Sequence, residues 1–312
     1  MSINYVLSKV GQCIFTLLGA SFFIFVLFYI AGSDPAVLKL GKYATLETIA
    51  ATRREMGLDR PWFIQYFAFL KRMVTFDFGE SWMIEKEVFP MIKARAMVSL
   101  SFTLPGFLLA TLVNIPLSLF VSFYKRKWVD RLFMIATGLL MSISILSYIL
   151  FFQYVLAYKL RLFPVAGYEY GFPYYIPYIM LPCLIIMILH MVYDTPLYRS
   201  MILEQIHQNY VRTARAKGLS DIAILFRHIL KNVMIPMMTY ILLELPALII
   251  GSVVIESFFA IPGLGNFLIE AVQNGDFPII QATAILVAIL YAFCILVADL
   301  LYATIDKRIK AA

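Results

Sequence analysis

Six long, nearly uncharged runs constrain this chain more than any other feature. A helix needs about 20 mostly apolar residues to cross the hydrocarbon of a bilayer. The runs are Val10–Ile30, Met97–Phe123, Leu132–Tyr158, Tyr174–Tyr193, Val233–Ile255 and Ile279–Ala303. Only Glu244 in the fifth and Asp299 near the end of the sixth interrupt them with an acid. Composition agrees: 62% of the 312 residues are hydrophobic and 14% charged, against about 45–50% and 25% in soluble domains. That balance excludes a disordered chain and argues against an ordinary soluble enzyme. The first run is too long for a signal sequence and lacks a small-x-small cleavage site, so it reads as a retained helix. The expectation is an all-α integral membrane protein with six transmembrane helices.

The few charges sort by side. Lys9, the stretch with Lys125, Arg126, Lys127 and Arg131, the segment with Arg199, Arg212, Arg215, Lys217, Arg227 and Lys231, and the tail with Lys307, Arg308 and Lys310 hold fourteen basic residues. The opposite short loops hold two, Lys159 and Arg161. The positive-inside bias then places both termini in the cytoplasm. The segmentation that follows is a tail and first span at 1–30, an outer segment at 31–96, a core at 97–303 with a cytoplasmic loop at 199–231, and a tail at 304–312. The outer segment carries ten basic and eight acidic residues, and long loops are translocated largely regardless of charge. Within it, Trp62, Phe63, Tyr66, Phe67, Phe69 and Leu70 follow Asp59-Arg60-Pro61, an apolar stripe behind a helix start signal. Gly79 and Pro90 mark turns. Short helices packed on the outer ends of the spans are expected.

Several chemistries find no motif. Gly41-Lys42-Tyr43 lacks the earlier glycine and the hydroxyl of a phosphate loop, and no zinc-protease or nucleophile-elbow pattern occurs. His190, His207 and His228 have no ligand spacing. Cys13, Cys183 and Cys294 are an odd, widely spaced set inside apolar runs, with neither a disulfide framework nor a metal motif. The reading is a non-enzyme with no cofactor or metal of its own. The net charge of +7 reports orientation rather than nucleic-acid binding.

The cytoplasmic segment from Arg199 to Lys231 is the most informative. Ile202, Ile206, Tyr210 and Ala214 recur every four residues and share a helix face, with Glu204, Gln205, Gln208, Arg212 and Arg215 pointing elsewhere. Gly218 ends the helix. Ser220 caps a second one whose face is Ile222, Phe226, Ile229 and Val233. The spacing fits both a hairpin that only packs under the bundle and one that docks a partner.

Tyr210-Val211-Arg212-Thr213-Ala214-Arg215-Ala216-Lys217-Gly218-Leu219, with His228, Asn232 and Pro236, resembles the cytoplasmic loop of binding-protein-dependent ABC transporter permeases of the dipeptide, oligopeptide and nickel subfamily. Arg212, Thr213 and Ala214 occupy the positions of that loop's Glu-Ala-Ala. The resemblance extends along the chain: Gly57-Leu58-Asp59 with Pro61, Gln65-Tyr66, Asp77 with Gly79 and Ser81, Phe163-Pro164-Val165-Ala166-Gly167, the outer loop Glu256-Ser257-Phe258-Phe259-Ala260-Ile261-Pro262-Gly263-Leu264-Gly265, Asp276-Phe277-Pro278, and Asp299-Leu300-Leu301-Tyr302. A short N-terminal tail before a long first outer segment is similar to the first of the two membrane subunits. Leu146, Pro196, Lys307, Glu244 and Pro246 depart from the usual pattern.

The resemblance implies one half of a heterodimeric pore in the bacterial inner membrane, importing di- or oligopeptides. It implies one or two separate ABC ATPases that hold the ATP and magnesium, and an extracytoplasmic solute-binding protein. Tyr210, Ala214 and Gly218 would form the coupling contact. Arg212 and Arg215 would pair with the ATPase or simply anchor the inner face. Glu244 in mid-span should avoid lipid, since such a charge costs about 2.5–3.5 kcal/mol on insertion scales. A bond to the partner subunit, a pathway contact with a peptide amine and a proton relay all fit it. Pro105, Pro116, Pro182 and Pro246 read as helix kinks. The competing reading is a secondary transporter or channel subunit not driven by ATP, which would account for the spans and Glu244 but not for the cytoplasmic motif.

Overall fold

The computed structural model describes residues 3–31, 34–40 and 45–305. The basic tail with Lys307, Arg308 and Lys310 and all of Gly41-Lys42-Tyr43 lie outside them. Among the described residues there is no strand, only an isolated antiparallel bridge between Glu80 and Glu87. Five helical runs are long and apolar enough to cross a membrane, and two pairs of shorter helices pass the same test jointly, giving five to seven candidate spans. Backbone groups in hydrocarbon have no water to bond, so helix is the form an apolar chain of this kind takes. The chain divides into two compact units, 1–97 with 263–312, and 98–262.

In the first unit, α1 (Ile3–Ala31) packs along α14 (Phe277–Ile305). Lys9 Nζ meets Asp299 Oδ2 at 3.0 Å and the Tyr5 hydroxyl donates to the Asp299 carbonyl. The acid near the end of the last run is therefore neutralised within the chain. The outer segment forms α2 (Pro35–Leu40), α3 (Leu46–Glu55) and α4 (Trp62–Thr75). Thr45 caps α3 through the amide of Thr48. Phe69 of α4 packs with Phe25 and Ile285, and Tyr66 donates its hydroxyl to the Leu18 carbonyl. α4 thus packs along the second half of α1, at Leu18, Ser21 and Phe25, rather than on its end alone, and Trp62, Phe63 and Phe67 of the stripe remain exposed. Pro90 is not in a turn. It sits in the first turn of α5 (Val88–Phe123), where a missing amide costs nothing because no partner exists there. α13 (Leu264–Asn274) ends at Gly275 in a left-handed conformation.

The second unit holds most departures from the sequence reading. The third apolar run is not one straight span. It breaks into α6 (Trp128–Met141) and α7 (Ile145–Phe152), bent by 92°. Ser144 caps α7 through the amide of Ser147, and the Tyr148 hydroxyl reaches back to the Leu140 carbonyl across the break. A π-helical turn, Gln153–Lys159, extends α7. The fourth run does not stop at Tyr193: α8 covers Ile176–Ile206 and includes Asp194. The fifth starts early, at Asp221, and stops at Ile250, where Gly251 (φ +77°) turns the chain. Ile255 belongs to the separate α12 (Val253–Phe259), capped by Ser252. Phe102, Ile149, Ile185, Ile255, Phe259 and Ile261 form one apolar core. At Gly106 of α5 an added Cβ would fall 2.8 Å from the Cys183 carbonyl oxygen, so the close approach to α8 requires the missing side chain.

Asp130 of α6 is buried. It accepts the Arg126 amide and holds the Arg199 guanidinium through Nε (2.7 Å) and Nη2 (2.6 Å). Removing one partner strands the other charge. Arg199→Met should lower unfolding free energy in detergent by about 3–5 kcal/mol, and adding Asp130→Leu should restore most of it, as read by chemical unfolding.

Candidate functional site

The segment after α8 folds as a helical hairpin. The repeat through Ile202, Ile206, Tyr210 and Ala214 is not one helix: α8 ends at Ile206, Gln208 adopts an extended conformation, and α9 (Asn209–Ala216) starts anew. All four residues still join one cluster, because Ile202 and Ala214 are buried and Ile206 and Tyr210 pack on it beside buried Val211. The Tyr210 hydroxyl donates to Gln205 Oε1 at 3.0 Å and ties α9 back to α8.

Gly218 turns the chain at φ +79°. Ser220 then accepts the Ala223 amide as the cap of α10 (Asp221–Ile224). A π-helical turn, Leu225–Ile229, joins it to α11 (Leu230–Ile250). That turn shifts the buried face. Ile224, Leu225, Ile229 and Val233 face inward, while Ile222 and Phe226, expected inside, are 58% and 57% exposed. A regular 3.6-residue period cannot anticipate a turn that holds one extra residue.

Arg212, Thr213, Arg215, Ala216 and Lys217 are exposed. Arg215 pairs with Asp221 across the turn at 3.0 Å, both side chains largely in solvent. Such a pair contributes about 0–1 kcal/mol, so it leaves Arg215 available. Lys125 meets His207 Nε2 at 2.9 Å. Burial, then the neighbouring charges of Arg126, Arg199 and Arg215, push its ammonium below the usual lysine range. The face is thus cationic, with a buried apolar underside.

The other predicted residues do not converge on the hairpin. Glu256 is fully buried and accepts the Ser99 hydroxyl at 2.7 Å beside Gly251, where an added Cβ would collide with both. Pro262 is partly buried, Gly263 precedes α13 as its cap, and Gly265 is buried in its first turn. Asp276 is buried and accepts the Ser81 hydroxyl and the Trp82 amide. Glu256 thus ties α12 to α5, and Asp276 ties the Ser81–Trp82 segment to the start of α14. Glu244 lies on α11, partly buried, and Pro246 is buried within the same helix.

Sequence reading missed a polar network inside the second unit. Asp194 of α8 is 1% exposed. Its Oδ2 faces His190 Nδ1 at 3.0 Å and its Oδ1 accepts the Tyr240 hydroxyl at 2.9 Å. Thr195 donates to Asn114 Oδ1 and Asn114 donates to the His190 carbonyl. His190 and Asp194 are four apart, one helical turn, and that spacing was the available signal. Ending the fourth span at Tyr193 hid it. Among the described residues no group of His, Cys, Asp and Glu is arranged to hold a metal.

The family described as binding-protein-dependent transport system inner membrane component matches residues 114–311, and its N-terminal companion matches 2–103. A glutathione transport system permease protein of Salmonella paratyphi A is 30% identical over 308 residues, 99% of each chain. A protein of Brucella abortus, named provisionally as a peptide transport system permease, is 31% identical over 313 residues, 98% of each chain.

The turn at Gly218 isolates a backbone effect, since an added Cβ there would meet nothing within 4 Å. Gly218→Ala should cost about 1–2 kcal/mol of local strain. Amide exchange confined to α9 and α10 should accelerate roughly tenfold, with the spans unchanged.

Proposed function

The chain belongs to the family of binding-protein-dependent transport system inner membrane components, and on that premise we propose that it imports peptides as one half of a heterodimeric, ATP-driven pathway. It is a multi-pass inner membrane permease subunit. In our reading six spans cross the membrane with both termini in the cytoplasm. A second homologous subunit completes the pathway, an external solute-binding protein delivers the ligand, and one or two ABC ATPases hold ATP and magnesium. Peptides are the substrate class because the relatives over nearly the full length carry glutathione and peptide transport names.

The observation that carries the reading is the hairpin. Its underside is locked into the chain by Val211, Ala214, Ile224, Leu225 and Ile229, while its outer face offers Arg212, Arg215 and Lys217. A purely anchoring loop needs the charge but not the rigid underside. A lever needs both. Force from an ATPase applied at α9 would pass through Tyr210 to α8, and through Ser220 and α10 into α11. ATP binding would then bias the bundle between inward-open and outward-open states, the ATPase supplying the differential contact such a shift requires. Thr213 and Ala216, exposed and small, permit close approach.

Gly218→Asp discriminates this reading. Aspartate tolerates a left-handed turn better than other side chains, so the subunit should reach the membrane with its fold intact. The added negative charge in the cationic face should abolish ATP-driven peptide uptake in proteoliposomes and loosen copurification of the ATPase. Uptake at the wild-type rate would overturn the docking assignment.

A further inference from the structure

The polar network between α8 and α11 is richer in acids than in bases. Two carboxylates flank a single phenol. Asp194 accepts the Tyr240 hydroxyl at 2.9 Å. Glu244, partly exposed, lies one turn along α11 from Tyr240 and so shares its helix face. The titratable groups facing them are His190 and Tyr198 from α8 and Tyr240 from α11. From α5, Asn114 adds an amide, already committed to the His190 carbonyl and Thr195. The next basic residue along α8, Arg199, is held by Asp130. These residues together hold two carboxyl groups and one imidazole, the latter against Asp194.

An uncompensated carboxylate inside a membrane-spanning segment is costly and marks a site by default. A second observation points to a ligand. Tyr198 is fully buried, yet its hydroxyl has no hydrogen-bond partner. It lies one turn along α8 from Asp194, its ring edge-on to Tyr240 with centroids 5.9 Å apart. Buried hydroxyls are nearly always bonded, so an orphan beside the Asp194–Tyr240 pair is a place left for another group.

We propose that Glu244, Tyr240 and Tyr198 form a binding site for one alkylammonium group, the free amine of a transported solute. Glu244 supplies the countercharge from its accessible position. The Tyr240 oxygen accepts an N–H, its own proton being committed to Asp194, which strengthens it as an acceptor. The Tyr198 oxygen offers another acceptor, and the two rings give the cation an aromatic wall. Asp194 and His190 are positioning residues that aim Tyr240. The choice of an amine as cargo rests on the peptide-permease reading above.

The test reads binding without ATP or transport. The full chain in nanodiscs is titrated with propylammonium chloride against sodium chloride at matched ionic strength, following its thermal unfolding midpoint. Wild type should show a saturable rise specific to propylammonium. Glu244→Gln should weaken half-saturation about tenfold or more, and Tyr240→Phe should weaken it in the same direction. Glu204→Gln, on the exposed end of α8, should leave it unchanged. No rise beyond sodium, or an equal rise in Glu244→Gln, overturns the site. A midpoint that responds to pH but not to propylammonium, and loses that response in Glu244→Gln, also overturns it and assigns the missing charge to a bound proton. Loss of peptide uptake in wild type would instead count against the peptide reading and leave this measurement intact.

Discussion

Hydrocarbon offers a peptide group nothing to bond with, and that single lack organises this chain. Every amide inside the bilayer must find its partner within the protein, which is why long apolar runs become long helices. The same rule decides where helices can stop. α7 and α12 begin after Ser144 and Ser252, each of whose hydroxyl oxygens accepts an amide N–H that would otherwise be orphaned. The run before α12 stops at Gly251, whose positive φ turns the chain, and buried Glu256 and Ser99 fill the space beside it. Breaks are thus placed where side chains can substitute for the lost backbone partner.

The same constraint explains what could be read in advance. An apolar run of 20 or more residues has almost one physical interpretation, so α1, α5 and α14 were legible as spans. The hairpin's punctuation was legible as well: glycine at 218 for a positive φ and serine at 220 for a cap are local requirements, independent of what packs nearby. The breaks in the third and fifth runs were not. Ser142-Ile143-Ser144 and Gly251-Ser252 are polar enough to cap a helix but too short to lower the hydropathy of a window. The shifted face of α10 was hidden for a different reason. A π-helical turn inserts its extra residue without any compositional mark, and Ile222 and Phe226 look as apolar as the Ile224 and Leu225 that are buried instead.

Of the candidate site, the cationic outer face of the hairpin could be read from charge alone, while its buried underside depended on tertiary packing. Val211 is the telling residue. By the four-residue repeat it lies off the stripe of Tyr210 and Ala214, yet it is nearly fully buried, because α9 is an independent helix free to rotate its own face inward after the Gln208 break. The network around Asp194 shows how a boundary decides a chemistry. One residue separates a span that is free of acids from one that carries a buried aspartate, and only tertiary structure adds Tyr240 from a helix 46 positions away.

Hairpin and network stand on the same two helices. α8 runs from the Asp194 level to the start of the hairpin, and the run from Asp221 through α11 leads from the hairpin's cap to Tyr240. At 1.5 Å per residue, that second path is about 28 Å long, interrupted only by the π-helical turn at Leu225–Ile229. Helices transmit axial displacement well because their backbone bonds lie along the axis, whereas a π turn is the place where one can yield. Asp194 and Tyr240 join α8 to α11 by a buried hydrogen bond, the kind of contact that is strong when dry and is lost outright when the helices separate. A shift applied at the hairpin, as proposed above, would reach the network as a change in the distance between two oxygens, and a polar centre that holds a charge in one arrangement need not hold it in the other.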